Sequence, residues 1–303
     1  MSYSFDTGKE LVEICEREGI TIAEATIRHE MEKSERSYDD IINEMFENLM
    51  VMQKSIELGL TNKQQTMTGL AGDNAEKLYV FAPDANMGTD MAKICAAAMA
   101  VTEVNASMGK IVATPTAGAS GVLPAVLVMC SEKHGFTDRD LVNGLFTAGA
   151  VGIIIAKNAS ISGAAGGCQA EVGSGAAMAA AALAELCGAK PKACLDAAAI
   201  ALKNIMGLVC DPVAGLVECP CIKRNAMGAA DAVLAADMVL AGISSIIPFD
   251  EVVVAMRNVG RMMNTDLRET SRGGIAASPT AKSIAERIGK RDVYIRHVIN
   301  INQ

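Results

Sequence analysis

Nine cysteines, at positions 15, 95, 130, 168, 187, 194, 210, 219 and 221, carry the clearest capacity for chemistry in this 303-residue chain. Six fall between 168 and 221. Four of those six sit in three segments rich in glycine and proline: Gly166-Gly167-Cys168-Gln169, Val209-Cys210-Asp211-Pro212 and Cys219-Pro220-Cys221. Thiols on tight turns can converge on one metal centre, and backbone N–H groups nearby can donate to cluster sulfides. The 41 and then 10 residues separating Cys168, Cys210 and Cys221 match no general zinc or ferredoxin spacing. On residue grounds alone these thiols serve equally well as metal ligands or as structural groups. Cys187 and Cys194 lie in or beside alanine-rich helices, where a small buried hydrophobe suffices.

Two loops of small residues are the other candidates. Ala113-Thr114-Pro115-Thr116-Ala117-Gly118-Ala119-Ser120-Gly121 carries hydroxyls beside a proline, and Asn158-Ala159-Ser160-Ile161-Ser162-Gly163 follows a strongly apolar segment. Such loops suit a carboxylate or ammonium ligand held by backbone N–H and hydroxyl groups, and they equally suit helix caps and close-packing turns. Other familiar signals fail. Met108-Gly109-Lys110 resembles the end of a phosphate loop, but Val104 stands where that motif needs glycine and Ile111 where it needs a hydroxyl. The glycines from 163 to 175 form no dinucleotide fingerprint. The three histidines, His29, His134 and His297, are too far apart for an HExxH zinc site and read as surface or capping residues.

The elements that must position these groups read as helices. Half of the residues are hydrophobic, yet only 3% are aromatic and there is no tryptophan, so Ala, Val, Ile, Leu and 18 methionines supply the apolar mass. That composition favours close-packed helices over a β-sandwich. Thr7 with Glu10, Thr21 with Glu24, Ser37 with Asp40 and Thr137 with Asp140 have capping spacing. Ile41, Met45, Leu49, Met52 and Ile56 share one helical face that ends near Gly59. Pro191 opens a helix over 192–206, an alanine-rich helix covers 226–242, and Ser278-Pro279 opens a terminal one to about 289. With no repeat and no long linker, residues 1–303 read as one all-α domain, a compact helical bundle with glycine-rich loops, in which 1–60 is a helical scaffold segment.

The balance of 27 basic against 35 acidic residues gives a net charge of −8, and with few aromatics it argues against nucleic-acid binding. The apolar stretch 144–156 is shorter than the roughly 18 to 20 residues a bilayer requires, and the start, MSYSFDTGKE, has no signal-peptide pattern. The expectation is a cytosolic protein without a membrane partner, its cysteines reduced.

Four segments taken together, ATPTAGASGVLPAVL (113–127), NASISGAAGGCQAEVGSGAA (158–177), GLVCDPVAGLVECPCIKRNA (207–226) and RETSRGG (268–274), resemble the α subunit of iron–sulfur-dependent L-serine dehydratase, an L-serine ammonia-lyase. The resemblance covers nearly the whole chain, and the length matches the separate α subunit of the two-subunit form. It implies that Cys168, Cys210 and Cys221 bind three irons of a [4Fe–4S] cluster, with Cys219 a neighbour. It implies a β subunit as partner and L-serine as substrate, converted to pyruvate and ammonia. A fourth iron without a protein ligand is an open Lewis-acid position. No glycine-rich phosphate cup beside a Schiff-base lysine points to pyridoxal phosphate. By proximity to the motifs, Thr114, Thr116, Asn158, Ser160 and Ser162 are the expected substrate-binding residues, with Lys110, Lys157 and Arg272 facing the carboxylate. The proton-abstracting base is not identified; the β subunit can supply it or part of the pocket. The chain ends Ile299-Asn300-Ile301-Asn302-Gln303, without the carboxy-terminal cysteine that single-chain members carry. The alternatives are the same chemistry on L-cysteine or L-threonine, a non-catalytic helical metal-binding protein, and an electron carrier.

Overall fold

Local capping starts the helices where the spacing predicts. The computed structural model describes residues 2–289. In α1 (Gly8–Glu18) the Thr7 hydroxyl accepts the Glu10 N–H at 3.2 Å and the Glu10 carboxylate accepts the Thr7 N–H at 3.0 Å, a closed capping box. Thr21 and Ser37 cap α2 (Ile22–Ser34) and α3 (Tyr38–Thr61). After α4 (Asn74–Phe81) and α5 (Thr89–Ala106) come α6 (Val122–His134) and α7 (Asp138–Asn158), the latter opened by a second capping box at Thr137. A single turn, α8 (Gly163–Gly166), leads through a π-helical turn at Gln169–Gly173 into α9 (Ser174–Leu186). Then follow α10 (Pro191–Asn204), α11 (Cys221–Leu240) and α12 (Phe249–Met262), and a last helix runs over 279–289. Among the described residues there is no strand, only one isolated parallel bridge between Cys210 and Arg268. The fold is all-α, as the composition implies.

The alanine-rich α9 is the hub. Every residue from Ser174 to Ala184 is buried, and the helix packs against α6, α7, α10 and α11. A helix apolar on all sides belongs inside a protein, and side chains that end at Cβ let its neighbours approach closely. The amino-terminal helices wrap this centre, α2 on α7 and α3 on α5.

Long-range carboxylates accept helix-start N–H groups that local side chains leave unpaired. Glu103, in the last turn of α5 and fully buried, accepts the N–H groups of Gly72 (2.9 Å), Asn74 (3.0 Å) and Ala75 (3.3 Å) at the head of α4. Glu185 accepts those of Ile22 and Ala23 at 2.8 and 3.0 Å, and Asp250 those of Gly8 and Lys9 at 2.7 and 3.0 Å. Anionic side chains at helix N-termini satisfy orphan donors and the positive end of the dipole together.

Several expectations change. Helix α11 begins at Cys221, five residues before the alanine-rich stretch, because buried Ile222 and Asn225 anchor its first turn. Helix α7 is 21 residues long and passes a length and hydropathy test for a membrane span, although two-thirds of its apolar window is buried by the protein. The helix extends beyond the apolar stretch 144–156 because the Thr137 capping box starts it at Asp138 and it continues to Asn158. His29 is buried, not superficial, with its ring centroid 4.9 Å from that of Phe5. His134 closes the last turn of α6, as a capping histidine should. Helix α12 was not anticipated. His297 and the tail 299–303 lie outside the described residues.

Candidate functional site

The four motif segments come together at one end of the hub, and buried polar side chains join them. Asn225, fully buried on the first turn of α11, accepts the Gly121 N–H at 2.9 Å and donates to the Gly118 carbonyl at 2.7 Å and the Cys221 carbonyl at 2.9 Å. That ties the 113–121 loop to the Cys-Pro-Cys turn. Gln169 accepts the Gly207 N–H at 2.8 Å and donates to Gly166 and Met256, linking the Cys168 turn to the Cys210 loop and α12. Asp211 accepts the Ile275 N–H at 2.7 Å and pairs with Arg224 at 2.9 Å. Gly274 sits at φ +59°, and a Cβ there would lie 2.2 Å from Asp211 Oδ2. The second glycine of the RETSRGG segment is therefore demanded twice, by backbone conformation and by space.

These ties bring the three cysteines together. Cys168 follows Gly167, whose φ of +79° and ψ of −178° occupy a region open essentially only to glycine. The Cys210 backbone is clamped on both sides, its N–H donating to the Leu267 carbonyl at 2.9 Å and its carbonyl accepting the Glu269 N–H at 2.6 Å. Cys221 is the first residue of α11, where unsatisfied N–H groups favour negative charge. All three are buried. Burial pushes the Cys168 thiol up to about 11 and the Cys221 thiol up to about 12. Burial raises Cys210 further, and the charges of Glu171, Cys168 and Cys221 add to it. The guanidinium of Arg224, one turn beyond Cys221, pulls Cys168 the other way. As thiolates these groups repel one another in a dry site, so their ionised form needs a cation among them.

Glu171 completes the cluster of groups. Its Oε1 accepts the Thr116 hydroxyl at 2.9 Å, and its Oε2 lies 3.6 Å from the Cys210 sulfur, within donating range of the thiol. Burial, with Glu269 nearby, raises its carboxyl above the ordinary range, and the Thr116 hydrogen bond lowers it again. A Cβ at Gly163 would stand 2.6 Å from Oε2 and 2.9 Å from the Cys210 sulfur. Glycine there is what gives the carboxylate its place. Glu171 lies in the π-helical turn, an irregularity frequent at functional sites.

The expected substrate-binding residues divide. Thr116 joins Glu171 and the cysteines. Ser160 lines a separate cavity of about 120 Å³ against α12. Thr114 is buried, with its hydroxyl directed to the Ser120 carbonyl of its own loop. The Asn158 amide donates to the Asp6 and Ile154 carbonyls, tying the amino-terminal segment to the end of α7. Ser162 is exposed, and its carbonyl accepts the Gly166 N–H of α8. Lys157 pairs with Asp6 at 2.6 Å, Arg272 pairs with Asp266 at 3.0 Å, and Lys110 is exposed. Glu171, Arg224, Arg257 and Arg261 were passed over in the sequence. Glu171 stands three residues after Cys168 inside a quoted motif, and Arg224 three after Cys221; helical spacing from each cysteine finds them.

The three cysteines supply soft sulfur donors of the kind an iron–sulfur cluster takes. Among the described residues no three His, Cys, Asp or Glu side chains stand close enough to share a single ion. Cys168, Cys210 and Cys221 nonetheless lie near enough for each charge to act on the next. A cluster of several atoms spreads its ligands more widely than one ion does, and the donor set fits such a group.

Comparison with known proteins identifies the family. The family model "Serine dehydratase alpha chain" matches residues 17–276. The chain is 50% identical over 286 residues to the "Probable L-serine dehydratase, alpha chain" of Bacillus subtilis (strain 168), covering 94% of this chain and 95% of that one. It is 43% identical over 281 residues to the "L-serine dehydratase, alpha chain" of Peptoniphilus asaccharolyticus, covering 92% and 96%. Against the "L-serine dehydratase" of Streptomyces coelicolor it is 39% identical over 285 residues, covering 92% of this chain but 62% of that longer one.

Proposed function

The chain belongs to the serine dehydratase alpha chain family, and from that membership we propose that it is the catalytic α chain of an L-serine ammonia-lyase acting through a [4Fe–4S] cluster on Cys168, Cys210 and Cys221. The observation that carries this reading is the convergence of three buried cysteines from three separate loops, each held by its own buried polar tie. The reaction removes the α-proton and the β-hydroxyl of serine as water; the aminoacrylate that results tautomerises to an imine, which hydrolyses to pyruvate and ammonia. When bound, the cluster supplies an open Lewis-acid iron for the hydroxyl, a poor leaving group without one.

The chain's own residues prepare that position. Gly167 and the Cys210 bridge fix the two loop cysteines, and the head of α11 presents the third. Arg224, held between Asp211 and the Val209 carbonyl (2.8 Å), offsets negative charge beside Cys168. Glu171 orients the Thr116 hydroxyl and the Cys210 sulfur together. Outer partners of metal ligands set ligand orientation in this way. A second, β chain completes the enzyme in this reading. Its support is the naming of the relatives as alpha chains, together with a single-chain relative that extends well past this chain's match. A cytosolic location fits reduced thiols.

The test is anaerobic purification, with visible spectrum and iron and sulfide counts, followed by parallel assays with L-serine, L-cysteine and L-threonine. About four irons per chain, a spectrum perturbed by serine and turnover fastest with serine are the expected results. Colourless protein after anaerobic reconstitution removes the cluster from the mechanism, and faster turnover of cysteine or threonine reassigns the substrate.

A further inference from the structure

The cavity beside Ser160 has a chemistry of its own. It holds about 120 Å³, well above the roughly 10–15 Å³ that one water needs, and Ser160, Gly166, Gln169, Met256, Arg257 and Arg261 are among its walls. Arg257 and Arg261 stand four residues apart on α12, on one face. Among the described residues neither has an acidic partner within ion-pair distance. Arg257 donates through one terminal nitrogen to the Asn158 carbonyl at 3.0 Å, while its Nε is buried with no acceptor among the protein's groups. Arg268 reaches the same wall at the Ala165 carbonyl, 3.4 Å, and its Nε is likewise buried without an acceptor. A buried donor left unpaired is costly, and two guanidinium groups lining one cavity without a carboxylate call for an anion.

Ser160 adds a neutral donor. Its oxygen accepts the Ser162 N–H at 3.1 Å, which leaves its own proton to give. The wall is also the segment that carries the first cysteine, since Gly166, Gln169 and Ala170 flank Cys168 in the chain.

We propose that this cavity is the carboxylate subsite of the enzyme: Arg257 and Arg261, with the Ser160 hydroxyl, hold the α-carboxylate of the amino-acid substrate. The assignment rests on the serine ammonia-lyase reading and gives that reading a place for the substrate's charged end. It replaces the lysines expected from motif proximity, of which Lys157 is already paired. Arg261 is exposed on α12, so its substitution tests binding without removing a core group.

Two measurements decide it on the anaerobically prepared enzyme with its cluster. In the first, arginines are labelled with phenylglyoxal and located by mass spectrometry, alone or with L-serine, L-serinamide or inorganic phosphate. L-serine is expected to protect Arg257 and Arg261, and L-serinamide, which lacks the carboxylate, is expected to leave them reactive. In the second, Arg261→Gln raises the KM for L-serine about 10- to 100-fold with a smaller change in kcat, and Arg261→Lys recovers part of the loss. Equal protection by serinamide, or an unchanged KM in an active Arg261→Gln enzyme, overturns the subsite alone. Protection by phosphate but not by serine makes the cavity a site for free anions and overturns it too. Wild-type α chain that holds its cluster, is assembled with the β chain and still does not turn over serine overturns the function, and the subsite with it.

Discussion

Glu103 and Glu171 are both carboxylates held inside a helical protein, and their surroundings differ in kind. Glu103 lies in the last turn of α5 and is surrounded by donors: three backbone N–H groups at the head of α4 and the Asn74 amide at 3.0 Å. Glu171 lies where helix geometry loosens into a π turn, and it meets one hydroxyl and one thiol. Glu185 and Asp250 follow Glu103, each capping a helix distant in sequence. The scaffold thus employs buried charge where donors satisfy it fully. The cysteine loops keep charge and sulfur where donors are scarce, as the proposed cluster and substrate require. Buried charge that is fully bonded fixes a structure, and buried charge that is not marks a place for a ligand.

Substitutions that separate stability from activity test this contrast. Glu103→Ala strands several buried donors at once and is expected to lower the unfolding free energy by at least about 3 kcal/mol in urea titrations. A loss below about 1 kcal/mol would break the comparison on its scaffold side. Glu171→Gln is expected to leave that free energy within about 1 kcal/mol, while serine turnover or iron content falls about 10- to 100-fold, as for other groups that orient metal ligands. A variant that unfolds but keeps its iron would place Glu171 with the scaffold.

Asp231 sharpens the rule with pH. Asn204 donates to its Oδ1 at 2.6 Å, but Oδ2 is buried without a donor, and burial pushes the carboxyl from 3.8 up to about 6. The folded chain therefore keeps a proton that the unfolded chain has released between those values, so this group's contribution to stability declines as pH rises through that window. Asp231→Asn is expected to remove the decline and to be about 1–2 kcal/mol more stable than wild type at pH 7, read from unfolding at pH 4, 5, 6 and 7. An unchanged pH profile counts against it. The smallest effect belongs to Asp250→Ala, which removes one exposed-end cap from α1 and should cost about 1 kcal/mol by thermal unfolding.

Contacts between residues three or four apart were legible in the chain. Thr7, Thr21, Ser37 and Thr137 cap the helices that their spacing predicts, because donor and acceptor lie within one turn whatever the rest of the protein does. The motifs likewise carried the family. Where α11 starts was not legible, because burial of Ile222 and Asn225 settles it and local propensity does not.

Within the site the same line divides what was found from what was missed. Thr116 and Ser160 were recognisable as hydroxyls on flexible loops, but nothing in the chain says that the first meets Glu171, 55 residues on, and the second α12, nearly a hundred residues on. Thr114 and Asn158 look the same in sequence, but their side chains are bonded to backbone carbonyls instead, that of Ser120 in one case and those of Asp6 and Ile154 in the other. By itself the sequence determined an all-α chain, its caps and its family. Only the tertiary structure decided which carboxylates are satisfied, which arginines are left without an acid, and which hydroxyls face them. Those outcomes depend on donors and acceptors that the chain brings together from far apart, and a short-range pattern carries no record of them.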